Sequence, residues 1–204
     1  MSRKALTLAT LAVTATFTLA ACGGSDDSMS GMSGMGSSSA TESSSSSSGQ
    51  SADFNDADVT FATDMIPHHR QAVEMATLAE TRAESQDVKD LAAQIVDAQG
   101  PEIDKMSSWL TEWGQPVPED MSGMDMSGSM PGMMSSDDMD NLANASGAEF
   151  DQMFLTMMIA HHQGAIEMAK TEQSDGQNAD AIALAGQIEQ AQTTEISTMQ
   201  GLLG

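Results

Sequence analysis

The sequence predicts an all-α protein, a four-helix bundle assembled from two duplicated antiparallel helix hairpins. Two observations carry that expectation. MIPHHRQAVEMA, starting at Met65, returns as MIAHHQGAIEMA at Met158. The same offset, without a gap, pairs Phe61 with Phe154, Leu91 with Leu184, Ile95 with Ile188, Gln99 with Gln192, Glu102 with Glu195 and Met106 with Met199. Within each copy, apolar residues recur at spacings of three, four and seven, the period of a helix with one buried face. A repeat of about sixty residues is best treated as one supersecondary unit. Two helix hairpins, each with one apolar face, bury those faces against each other.

The elements follow in chain order. Residues 1–21 read as a secretory signal, with Arg3 and Lys4 ahead of an apolar run from Ala5 to Ala21. Leu19-Ala20-Ala21-Cys22 resembles the bacterial lipoprotein box, in which the cysteine is lipidated and becomes the first mature residue. An ordinary signal peptide or a short membrane helix are the competing readings. Residues 22–52 form a Ser/Gly/Met tether too poor in large apolar groups to offset the entropy of ordering. The first hairpin occupies residues 53–113. Phe54, Phe61, Met65, His68, Ala72, Met75 and Ala76 line one helix, and Val88, Leu91, Ile95, Ala98, Met106 and Trp109 line the other. Between them lies Glu84-Ser85-Gln86-Asp87, with Asp87 as the expected N-cap. Residues 114–146 read as a Met-rich flexible linker. The second hairpin takes residues 147–204 and turns at Ser174-Asp175-Gly176-Gln177-Asn178. Pro67 and Gly100-Pro101 have no counterparts in the second copy and predict kinks in the first.

Composition narrows the function. The net charge is −23, with 7 Lys and Arg among 204 residues, which excludes phosphate-backbone binding and favours cations. The single cysteine rules disulfides out of the fold. No nucleophile constellation is suggested by spacing, so an enzyme is not the expectation.

All 4 histidines lie in the two matching stretches. On a helical wheel centred on Met65, His68 falls at about −60° and His69 at about +40°, straddling the apolar stripe. Glu74 falls on the far side and reads as solvated, as does Glu167. Glu102 and Glu195 lie within the apolar faces of the second helices, and a buried carboxylate is costly unless paired or bound to a cation. A plain hydrogen bond from His to Glu is the structural alternative. Hairpin register places His68, with Met65, opposite Glu102 and Met106, and His161, with Met158, opposite Glu195 and Met199. His69 and His162 are then expected to face the neighbouring hairpin. Thioether and imidazole are soft-to-intermediate ligands suited to Cu(I) and, through His, Cu(II), whereas zinc sites seldom use Met. Copper is the expected ion. Met121, Met124, Met126, Met130, Met133 and Met134 of the linker form an auxiliary Met-rich set, since exposed methionine outside the cell invites oxidation without some benefit. Biased spacer composition is the alternative.

The two histidine stretches resemble the domain of unknown function 305 family, over residues 53–204 apart from the linker. That resemblance implies a ferritin-like four-helix bundle, exported in bacteria, with some members implicated in copper binding and tolerance. Carried over by position, it implies Met65, His68, His69 and Met75, with Met158, His161, His162 and Met168, as metal residues. Glu74 and Glu167 also match the family pattern.

The leading expectation is therefore a lipid-anchored extracytoplasmic copper-binding protein that buffers the ion or hands it to a delivery partner, as a monomer or a homo-oligomer. A ferritin-like metal-dependent oxidase is the enzymatic alternative. A non-metal interaction module with core histidines is the third.

Overall fold

The computed structural model describes residues 53–119 and 130–204. The expected signal at 1–21, the lipidation site Cys22, the tether, and Met121, Met124 and Met126 lie outside the described residues.

Among the described residues there are five helices: α1 (Asp56–Arg82), α2 (Gln86–Glu112), α3 (Ser136–Asn144), α4 (Ala148–Asp175) and α5 (Ala179–Leu203). The all-α bundle expected from the periodicity is what forms. α1 packs on α2, α4 on α5, and α1 on α4, while α2 and α5 touch far less. Pro67 lies inside α1 and Pro101 inside α2, and both helices run unbroken through them. Among the described residues, no helix is long and apolar enough to cross a membrane.

The second half of the segment expected as a flexible linker instead carries α3. Ser135 and Asp138 form a reciprocal capping box at its start. Leu142 is fully buried, and Met139 packs beside it against the core. That apolar pair at a spacing of three behind a Ser-x-x-Asp cap was a readable helix signal, obscured by the surrounding Gly, Ser and Met.

The turns correct a second expectation. Ser85, not Asp87, occupies the N-cap of α2, and its side chain makes no cap bond. The Asp151 carboxylate of α4 reaches across instead and accepts from the backbone N–H groups of Glu84 and Ser85, at 3.1 and 2.8 Å. Asp58 of α1 does the same for the other turn, accepting from the N–H groups of Gln177 and Asn178, each at distances down to 3.1 and 2.8 Å. Asp58 and Asp151 are repeat partners, so each hairpin supplies the anion at the positive end of the other's second helix. Burial opposes ionisation of Asp58, but the hydrogen bonds it receives at Asn55, Glu172, Asn178 and Gln177 outweigh it and lower its pKa.

The core divides into two apolar clusters. One contains Ala72, Met75, Leu91, Ile95, Phe150, Phe154, Met158 and Met199. The other contains Phe61, Met65, Ile66, Met106, Leu110, Ala165, Leu184 and Ile188. Every long helix contributes to both, and on every long helix a buried polar residue lies between the two stretches. His68 and His69 on α1, Gln99 on α2, His161 and His162 on α4, and Gln192 on α5 are all buried there. Such a layer opposes the hydrophobic gain of about 1.5–3 kcal/mol that each large apolar side chain brings, so its presence in both halves requires a function.

Candidate metal centre

All four histidines are 0% exposed. His69 Nε2 lies 2.7 Å from Glu102 Oε2, and His162 Nε2 lies 2.6 Å from Glu195 Oε2. Glu102 and Glu195 retain 21% and 19% side-chain exposure, so each carboxylate joins a buried ring to solvent. His68 Nε2 lies 3.1 Å from the carbonyl oxygen of Pro131. The rings of His68 and His161 meet face to face across the two hairpins, with centroids 3.8 Å apart and planes tilted by 36°.

These contacts reverse the expected roles within each histidine pair. His69 and His162, not His68 and His161, meet the glutamate of their own hairpin. His68 and His161 face the opposite hairpin. The expected pairing of Met65 with Met106 in one apolar cluster, and of Met158 with Met199 in the other, is seen. Met75 joins the cluster of Met158 and Met199, and Met168 packs against the cluster of Met65 and Met106. Of the six thioethers expected at the site, each cluster therefore holds three, drawn from both hairpins. Glu74 and Glu167 are exposed. Of the linker methionines, Met130, Met133 and Met134 are described and half-buried, and Met134 packs on the first cluster.

The acceptors determine which ring nitrogens carry protons. A carbonyl or an ionised carboxylate can only accept, so Nε2 of His68, His69 and His162 must donate. In a neutral ring, Nδ1 is then the lone-pair nitrogen. All three Nδ1 atoms are buried without a hydrogen-bond partner, as are both nitrogens of His161. Burial first, and then the neighbouring His69, lowers the His68 pKa to about 3. Burial, followed by His68 and the other rings, lowers that of His161 well below its ordinary value. Both rings are neutral at neutral pH, the form that ligates a metal. Outward N–H donation to an oxygen, with the other nitrogen free, is the arrangement that orients metal-binding imidazoles.

Among the described residues, no three His, Asp or Glu groups converge as a ready-made cage. A thioether does lie one helical turn before the first histidine of each pair, at Met65 and Met158, and thioethers suit soft cations. Two further polar residues escaped the sequence reading. Gln99 and Gln192 are each 3% exposed and leave amide atoms unpaired in the same layer. Their signal was present, since each lies one turn before the inward glutamate of its helix. Pro131 was also missed, because nothing in the sequence announces a backbone carbonyl as a partner.

A groove of about 700 Å³ lies between α2 and α5, with Asp87, Asp90, Gln94, Gln190, Thr198 and Glu195 among its lining residues. Glu195 thus touches both the groove and the buried His162, and the acidic lining suits the approach of a cation.

The family model of a domain of unknown function, DUF305, matches residues 58–203. A DUF305 protein of Streptomyces coelicolor described as secreted is 33% identical, with a TM-score of 0.66 over 72% of this chain and 91% of that one. CopM in its Cu(II)-bound form is 33% identical, with a TM-score of 0.63 over 72% of this chain and 95% of CopM. CopM in its Cu(I)-bound form is 34% identical, with a TM-score of 0.59 over 71% of this chain and 94% of CopM. No curated protein matches the chain.

Proposed function

The chain belongs to the DUF305 family, and from that premise we propose that its buried histidine–methionine layer binds copper, Cu(I) above all. The observation that carries this reading is the common state of His68, His69 and His162: Nε2 donates outward and Nδ1 is left bare in the core. Those three Nδ1 atoms and His161 would supply nitrogen, and Met65, Met106, Met158 and Met199, with Met75 and Met168 beside them, would supply sulfur. Such a set holds a soft ion and shields it from water. Glu102 and Glu195 would orient their rings rather than serve as principal ligands, since each already accepts a hydrogen bond from a histidine. The likeness to CopM, solved with Cu(I) and with Cu(II), supports the choice of ion.

The role we infer is buffering or hand-over of copper outside the cytoplasm. Leu19-Ala20-Ala21-Cys22 supports a lipid anchor at a membrane surface, and the Met-rich segment beside the bundle supports auxiliary capture of the ion.

Cu(I) titration against a chromogenic competing chelator tests the reading. His69→Ala with His162→Ala should weaken binding by more than about a hundredfold, and Glu102→Gln with Glu195→Gln by about ten- to a hundredfold. Glu74→Gln with Glu167→Gln should leave affinity unchanged. Equal affinities across all three double variants, each checked for helix content, would sink the proposal.

A further inference from the structure

The duplication fails at one place that bears on the histidine layer. Met130-Pro131-Gly132-Met133 forms a reverse turn, closed by Met133 N–H donating to the Met130 carbonyl at 3.4 Å, with Gly132 at φ 76°. Pro followed by a positive-φ Gly at the two central positions is the pattern of a type II turn. This strap is pinned to both hairpins. On α1, Gln71 accepts from Met134 N–H at 2.8 Å and donates to the Met134 carbonyl at 3.0 Å. On α4, the strap lies directly on Gly164. A Cβ built there would fall 2.0 Å from the Pro131 oxygen and 2.8 Å from Gly132 Cα. A Cβ on Gly132 would fall 2.7 Å from the Ala160 carbonyl and 2.9 Å from that of His161. Gln71 and Gly164 are repeat partners. The two copies have diverged at this position, one residue gripping the strap and the other making room for it.

The result of that grip is the hydrogen bond from His68 to Pro131. His161, the repeat partner of His68, has no acceptor of that quality: its ring has a weak contact with the His68 backbone, and neither ring nitrogen makes a well-formed hydrogen bond. We propose that the Pro131 carbonyl is a positioning group of the centre: it fixes His68 as the Nε2–H tautomer with Nδ1 inward, and so makes His68, not His161, the pre-oriented nitrogen of the facing pair. A strap supplied once breaks the equivalence of a duplicated site. Its effect on affinity rests on the copper reading above, whereas its effect on the tautomer does not.

The test separates the two. Nitrogen-15 NMR of histidine side chains in the metal-free full chain should show His68 with a protonated Nε2 and a bare Nδ1. Gln71→Ala, which releases Met134 from a half-buried surface position, and Gly164→Ala, which displaces Pro131, should each convert His68 to a mixture of tautomers. The same variants should lower Cu(I) affinity by about ten- to a hundredfold, the usual loss when a ring loses its orienting partner. A His68 tautomer unchanged in both variants overturns the proposal. So does a mixed tautomer with wild-type affinity, which would leave the copper reading standing. A wild-type chain that holds the tautomer but takes up no copper overturns the copper reading, and the affinity role of the strap with it.

Discussion

In the first hairpin, His69 donates to Glu102, and Asp58 crosses to cap the turn of the second. In the second, His162 donates to Glu195, and Asp151 crosses to cap the turn of the first. Around this shared frame the two copies differ at many positions, some with a structural consequence. Gln71 grips the strap where Gly164 admits it. Ala79 is plain core, whereas its partner Glu172 is a carboxyl buried to 1% exposure beside Asp58. Ala93 is matched by Gly186. What is kept holds the rings and joins the hairpins, and what has changed makes one half unlike the other.

Four substitutions test how far that equivalence extends. The largest effect should come from the matched methionines. Met106 and Met199 are both 0% exposed, and truncating either to alanine should cost about 2–5 kcal/mol through lost burial and the cavity left behind. Urea unfolding of the metal-free chain should give similar costs for the two. A large loss in one and almost none in the other would show that the halves share a sequence pattern but not an energetic role.

Glu172→Gln should give a smaller effect with a defined pH dependence. Burial, and then the Asp58 carboxylate, raises the Glu172 pKa from 4.5 to about 8. The Asp58 carboxylate acts both as a hydrogen-bond acceptor for the protonated group and as a neighbouring negative charge. Below pH 4.5 the group is protonated whether the chain is folded or not. Between 4.5 and 8 the unfolded chain loses the proton while the folded chain keeps it, so stability falls as pH rises, by at most about 1.4 kcal/mol per pH unit. His68 has the opposite sign. Its lowered pKa makes stability fall as pH drops from 6.5 towards 3. Between pH 6.5 and 8, therefore, the Glu172 slope stands alone of the two, and the glutamine variant should lack it and be more stable than wild type at pH 8. Parallel stability profiles for the two proteins would remove the buried-carboxyl account.

The smallest effect should favour the protein. Gly186 has room for a Cβ, with the Gln173 side chain 3.7 Å away as the nearest group, and its partner is Ala93. Gly186→Ala should stabilise α5 by about 0.5–1 kcal/mol. A measurable rise in the thermal midpoint would support it, and a fall would mean that the second hairpin needs backbone freedom there.

Much of the bundle was legible because helix period and repeat offset are local properties. The turns, the four long helices and the inward glutamates all follow from spacings of three and four. Asp58 and Asp151 were visible as repeat partners too, but their role crosses between hairpins, beyond the reach of any register argument made within one. α3 was hidden for a different reason. Its short apolar pair is outweighed by the polar low-complexity composition on either side.

The sequence by itself determined that two imidazoles per copy would lie in an apolar stripe, level with a glutamate and a methionine of the facing helix. Which ring meets which partner was decided only by tertiary structure. His68 and His69 lie on opposite sides of the stripe, roughly 100° apart, and antiparallel register brings both within one residue of the same glutamate. The choice belongs to the side on which α4 packs against α1. Once α4 takes the His68 side, His69 is left to Glu102 and the strap can reach His68. That contact uses a backbone carbonyl sixty-three residues away in sequence, and a peptide group has no side chain through which its position could have been read.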